Sequence, residues 1–397
     1  MINVTLWYDD NTKSNCSYQD AVYSDRTILK KLKSNNINCK LKDTKEKIDT
    51  TDVNVYVVEL LNVNNEFDIF SLIPDHTKKL FQQGLALVLY YPKEGHELDD
   101  WFMRIYENLV KNKLLGKVYF VFGDNDFESN YNNFLKDNNL EKYLIPISMD
   151  YFAGDYLDKV TDPNLTYSSN KKYNFLFYNG KLRPHRLYAV SELDRYNVLE
   201  NSLTSLTSTT FTNGTYTLED CVDVLKQFGA ASEHLDSFVK NYNPMILDMP
   251  NDSFSQDNIN NTITWHYADS YFSIISETSM ANRFITEKIY KPIYNYHPFI
   301  IIGAPHMLEL IKSKGYETFE ELFDESYDKE TDHKNRIDMV IKQVVNFCNM
   351  SHDDKQNRYD MVTDKLIHNR DLYIKTTTDN KQKEFLNIFE TIARNKI

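Results

Sequence analysis

With 397 residues of which 41% are hydrophobic, and a mean hydropathy of −0.55, the chain can fill two cores, yet no window nears the roughly 18 apolar residues of a membrane span. A formal net charge of −13 speaks against a broad phosphate-binding surface of the kind duplex DNA requires and leaves room only for a local basic groove. The four cysteines, Cys16, Cys39, Cys221 and Cys348, have neither metal-ligand spacing nor a disulfide framework, and the acidic, strand-like start is no secretory signal, so the expected compartment is the cytoplasm.

Ile2, Val4 and Leu6 alternate in a first strand, and residues 20–32 carry Val22, Leu29 and Leu32 at helical spacing. The runs at 53–61 and 85–91 are nearly all apolar, as in strands covered on both faces. Residues 98–115 read as a helix with Trp101, Ile105 and Leu109 on one side, and 118–122 as a further strand. This β-α-β alternation predicts a parallel, doubly wound sheet over residues 1–165. The Lys-rich stretch 30–47 reads as a solvated helix end and loop. Two loops at strand ends carry groups suited to chemistry. One is 91–97, with Glu94 and His96. The other is 123–126, where Asp124 and Asp126 form an Asp-X-Asp pattern. Hard divalent cations favour such carboxylate oxygens, but the string is also an ordinary turn, which is the preferred reading.

Residues 161–172 are polar and read as the link to a second domain, residues 170–375. Its first strand ends in Asn179-Gly180, and Pro184 suits a first helical turn. Arg183, His185 and Arg186 therefore gather at a helix opening after a strand, where doubly wound domains face their ligands. Guanidinium groups match phosphate oxygens in bidentate fashion. Residues 218–228 and 231–242 read as helices joined at Gly229, and 248–261 as a surface excursion.

The apolar run 271–275 reaches a polar edge at Ser276 and Glu277, and a second, 299–302, stops at Gly303. Between them Arg283, Phe284, Thr286, Glu287 and Lys288 stand where a loop enters a short helix. Thr286 suits an N-cap, a helix start attracts anions, and Lys288 adds a full positive charge. The Glu287 carboxylate accepts two hydroxyl hydrogen bonds, which is what a ribose offers. The cluster thus reads as phosphate plus sugar recognition, against the plainer alternative of a solvated helix start with a Glu/Lys pair. Pro292 should kink or end this helix. Further on, Ile337, Val340, Ile341, Val344 and Cys348 share one helix face. Phe385, Ile388, Phe389 and Ile392 repeat the arrangement in a terminal helix, residues 376–397.

The string Phe284-Ile285-Thr286-Glu287-Lys288, preceded by Glu277 at a strand end and followed by an apolar strand and Gly303, resembles the donor-binding motif of the α1,3-fucosyltransferase family and related glycosyltransferases, viral ones included. That family usually carries Tyr where this chain has Phe284. The resemblance implies an α/β fold of two Rossmann-like doubly wound domains facing a cleft, the GT-B type, with the terminal helix packed back across them. It implies inverting transfer from a nucleoside-diphosphate sugar to an acceptor hydroxyl on a glycan, with no metal cofactor. It places Glu287 on the ribose and Lys288 on phosphate, and assigns the diphosphate to the Asn179–Arg183 turn, with Arg186 the alternate. Asn179, Arg183, Arg186, Glu277, Arg283, Phe284, Thr286, Glu287 and Lys288 are then the donor-binding set. Removal of the acceptor's proton falls to Glu94 first and His96 second, by position in the chain and not by a matched motif. Two other readings stay open: a virus-type enzyme, working in host cytoplasm, that glycosylates a hydroxymethylated base in DNA, and a non-catalytic nucleotide-sugar or glycan-binding module. Net charge disfavours the DNA reading.

Overall fold

The computed structural model describes residues 3–8, 39–48, 51–60, 70, 73–92, 95, 97–114, 118–152, 171–207, 216–247 and 264–395. The chain divides into two compact units, Met1–Tyr151 with Thr377–Ile397, and Phe152–Thr376. In the first, the elements run β1 (Val4–Tyr8), β2 (Cys39–Asp43), β3 (Val53–Glu59), α1 (Asp75–Phe81), β4 (Ala86–Tyr91), α2 (Asp100–Lys111), β5 (Val118–Phe122), α3 (Phe127–Asp137) and β6 (Ile145–Ser148). They form one sheet in the order β2-β1-β3-β4-β5-β6, parallel throughout.

Both edge strands escape a reading based on apolar runs. β2 has the sequence CKLKD, which the sequence places in a solvated loop. Lys40 is exposed and reaches the buried Asp52 carboxylate at 3.3 Å, while half-buried Lys42 lies 5.7 Å from the Trp7 ring centre. Charged edge strands of this kind discourage pairing with another chain. β6 contains Pro146 and, among the described residues, pairs with β5 alone, a setting in which a strand tolerates a missing N–H donor. The central strands need no such device, since β5 is buried at every position. Against it packs an aromatic cluster in which Phe102 stacks on Phe120 at 5.7 Å and meets Phe127 and Phe134 edge-on. That cluster sets the rotation of α2, which buries Phe102, Tyr106 and Leu109. Trp101 and Ile105, expected on the inner face, are only half-buried. The helix expected over residues 20–32 lies outside the described residues.

The second unit runs β7 (Tyr173–Phe177), α4 (Pro184–Arg195), β8 (Leu203–Thr204), α5 (Leu218–Gln227), α6 (Glu233–Lys240), α7 (Thr264–Asp269), β9 (Ser270–Ser276), α8 (Glu287–Tyr294), β10 (Phe299–Ile302), α9 (Met307–Ser313), α10 (His333–Cys348), α11 (His352–Met361) and α12 (Thr363–Arg394). Its sheet has the order β10-β9-β7-β8 and is also parallel throughout. Residues of α12 through Thr376 belong to this unit and those from Thr377 to the first. Pro292 sits inside α8, which runs through it for two more residues before ending at Tyr294. Each unit is thus a Rossmann-like α/β layer with its own core. Among the described residues no helix is long and apolar enough to cross a membrane.

Candidate functional site

Strand order locates the site. From β7 the chain moves to β8 on one side, then returns to lay β9 and β10 on the other. The reversal leaves β7 and β9 as neighbours whose following loops diverge, and open parallel sheets bind ligands at such a switch point, outside the carboxyl ends of the strands. The loop after β7 and the first turn of α4 carry Asn179, Arg183 and Arg186; the loop after β9 and the first turn of α8 carry Glu277, Arg283, Phe284, Thr286, Glu287 and Lys288. The fold therefore brings both halves of the expected donor set to adjacent strand ends.

The two loops are fastened to each other. His185 Nε2–H donates to the Glu277 carbonyl at 3.0 Å. The Arg186 guanidinium is buried and donates to the Ser276 carbonyl at 3.1 Å, to Ser276 Oγ at 3.4 Å and to the Lys181 carbonyl at 2.9 Å. Burial and the neighbouring Arg183 push Arg186 down to about 10, while Glu277 and Glu287 oppose that shift. With all three nitrogens engaged, Arg186 holds the loops in place. His185 is pushed well below the usual imidazole range by burial, then by Arg186 and Arg183, so it is a neutral hydrogen-bond donor here.

Arg183 is placed differently. It is the N-cap residue of α4, in extended conformation, and no side chain caps the helix there. Its Nε is buried with no hydrogen-bond partner, and so is Oδ1 of Asn179. Asn179 is fixed through its other groups: its N–H and Nδ2 donate to Ser205 Oγ and to the Ser205 carbonyl, both at 3.1 Å. An uncapped 12-residue helix with a half-buried guanidinium at its start has the charge and the free donors that an anion would need.

The loop after β9 is also braced by its own charged groups. Glu277 is 1% exposed and accepts from Thr286 Oγ1 at 2.7 Å and from Thr286 N–H at 3.3 Å. Burial raises its carboxyl, with Lys288 and Thr286 working against the rise. Thr286 caps α8 through a bond from Lys288 N–H, and Lys288 Nζ donates to Thr286 Oγ1 at 2.9 Å. The ammonium also lies 3.7 Å from Glu277 and 3.6 Å from Glu287. Burial acts to raise the Glu287 carboxyl, but Lys288, Lys291 and its own backbone N–H outweigh it and hold it below the usual range. Phe284 is buried and packs edge-on against Phe152 at 5.8 Å, so its ring serves the core. Arg283 is half-buried in the same loop.

Two residues that sequence reasoning passed over shape this edge. Arg336, 1% exposed, donates to the carbonyls of Gly303 at 2.8 Å, Glu330 at 2.6 Å and Met280 at 3.0 Å. It ties the loop after β9 to the loop after β10 from the inner face of α10. The available signal was an arginine in register with Val340 and Val344 on an apolar helix stripe. Asp328 accepts from Leu308 N–H at 2.9 Å and Glu309 N–H at 3.3 Å, which closes the start of α9 to other anions. Of the three helix starts at this edge, α4 alone lacks a side-chain or carboxylate cap.

Glu94 and His96 lie outside the described residues. Asp124 is buried, and its two carboxylate oxygens accept from Asp126 N–H at 2.9 Å and Asn130 Nδ2 at 2.6 Å, the geometry of a turn leading into α3. Among the described residues no group of three or more His, Cys, Asp or Glu side chains is placed to hold a metal ion.

No family model matches the sequence, and no curated protein does. Among solved structures, the chain is similar to T4 phage BGT in complex with its UDP-glucose substrate, at 10% identity and a TM-score of 0.39 over 99% of each chain. A T4 phage BGT mutant in complex with UDP-glucose matches at the same 10% identity, TM-score of 0.39 and 99% coverage of both chains. At that identity and score the likeness carries no argument about what this chain does.

Proposed function

We propose that this protein is an inverting glycosyltransferase of the GT-B type that moves a sugar from a nucleoside-diphosphate donor to an acceptor hydroxyl on a glycan without a metal ion. One observation carries the reading: at the β7/β9 switch point, the uncapped start of α4 holds an arginine with a buried, unpartnered Nε. A diphosphate supplies the acceptor oxygens that this group and the free helix start lack.

In the reaction the acceptor oxygen attacks the anomeric carbon as the bond from that carbon to the diphosphate breaks. Charge develops on the leaving diphosphate, and Arg183, the α4 start and Lys288 stabilise it in the role a metal fills elsewhere. Glu287 takes the ribose hydroxyls. The acceptor's proton goes to Glu94, with His96 as the alternate base. The net charge of −13 supports a glycan acceptor over duplex DNA.

The test is turnover of a panel of UDP- and GDP-sugars, read as release of nucleoside diphosphate, with the anomeric configuration of the product followed by NMR. The expected result is inverted product, unaffected by EDTA and lost in Glu94→Gln. Retained configuration, or activity abolished by EDTA and restored by manganese, would replace this reading with a different mechanism. Steeply salt-dependent binding of duplex DNA would replace the acceptor.

A further inference from the structure

A pair of rings stands where the end of α5 meets the start of α10, the helix packed against α4, and has no part in the assignments above. Phe228 is 60% exposed and is the one exposed phenylalanine among the described residues. Its ring stacks on the His333 imidazole with centroids 6.3 Å apart and planes 28° from parallel. The turn that presents it is a fixed helix end. Gly229 adopts a φ of +66° and its N–H bonds the Lys226 carbonyl at 3.1 Å, while Ala230 N–H bonds the Leu225 carbonyl at 2.9 Å. Ala230 and Leu225 are both buried, which anchors the turn from beneath.

The position of His333 is equally constrained. It is the first residue of α10, and α10 is fastened to the first turns of α4: Tyr188 O–H donates to Asp338 at 2.7 Å, and Lys334 Nζ lies 5.6 Å from the Tyr188 ring centre. His333 is close enough for its charge to bear on His185, at the helix start itself. A single exposed aromatic side chain is commonplace on a protein surface. This one is backed by a second ring and adjoins the helix start assigned to the diphosphate.

A nucleoside diphosphate bound there must place its planar base one ribose away. We infer that Phe228, supported by His333, is the stacking platform for the nucleobase of the sugar donor. The inference deepens the glycosyltransferase reading and rests on it. Stacking is open to any base, since each has a π-face, so the platform recognises a nucleoside and leaves the choice among bases to other groups.

The experiment is calorimetric titration of the full chain with inorganic pyrophosphate and with UDP, GDP, CDP and ADP, for wild type, Phe228→Ala, Phe228→Leu, Phe228→Trp and Arg183→Ala. Loss of the ring should weaken the preferred nucleoside diphosphate about tenfold, one stacking contact's worth, in both the Ala and the Leu variants. Pyrophosphate binding should be unchanged in them, and Phe228→Trp should bind as well as wild type. Nucleoside diphosphate affinity that is unchanged in Phe228→Leu, or a loss shared equally by pyrophosphate, overturns the platform alone. No binding of either ligand to wild type, or binding indifferent to Arg183→Ala, overturns the diphosphate reading and the platform with it.

Discussion

An arginine whose Nε is buried without a partner is held at a cost to folding, and Arg183 keeps one at the start of α4. Lys288 contrasts with it, since its ammonium already has Thr286, Glu277 and Glu287 for company. The two cations should therefore respond differently to removal. Arg183→Ala is expected to weaken nucleoside diphosphate binding by about 2–5 kcal/mol with no fall in melting temperature, read by calorimetry and thermal denaturation. Lys288→Ala is expected to lower stability by about 1–2 kcal/mol, because the buried Glu277 loses its nearest cation while the lysine's own partial exposure limits the loss. Equal melting temperatures for Lys288→Ala and wild type would contradict that division of roles. Arg336→Met should cost about 3 kcal/mol or more, since three carbonyls lose their donors. A urea midpoint unchanged from wild type would contradict the clamp. At this scale the Thr-Glu-Lys string and Arg183 were legible because they are contiguous or stand at a turn. Arg336 was not, because its partners are backbone carbonyls scattered along the chain.

At the scale of elements, the sequence revealed what periodicity can reveal. Apolar runs marked β3, β4, β5, β9 and β10, and the helices α5, α6 and α10 followed from spacing. The edges β2 and β6 were hidden by lysines and a proline, which are features of edges. Capping decides what each helix start can bind, and it depends on distant residues: Asp328 closes α9 from beyond its end, and Glu277 holds Thr286 from across a loop. Two buried histidines, His266 in α7 and His297 before β10, also carry a pH dependence. Burial pushes His266 down from 6.5 to about 4 and His297 well below the usual imidazole range. The Nε2–H of His297 donates to the Ser270 carbonyl at 2.9 Å and its Nδ1 accepts from Ser273 Oγ at 2.8 Å. Both folded values lie below the unfolded one, so the unfolded chain binds more protons as pH falls through 6.5. Stability is then present above pH 6.5 and is lost on the way down to about 4. Urea unfolding between those limits should show that loss, with His266 alone worth roughly 3 kcal/mol, and His266→Gln should flatten the slope. The same slope in wild type and variant would contradict the assignment.

For the whole molecule, β-α-β alternation predicted the parallel sheet of the first unit, and the resemblance carried by the Phe284–Lys288 string implied a second Rossmann-like unit. Strand order was not legible, because nothing local distinguishes a return to the left of β7 from one to the right. Yet that order makes the β7/β9 edge the candidate site, by setting two loops nearly a hundred residues apart in sequence side by side. Charge acts at this scale as well, since a net −13 leaves few places where an anionic ligand is welcome, and the α4 start is one. Hydrogen exchange of the full chain, with and without a saturating nucleoside diphosphate, locates that ligand most directly. Added protection is expected, centred on residues 178–187 and 277–290. Protection confined to the first unit, or none at saturation, would contradict it.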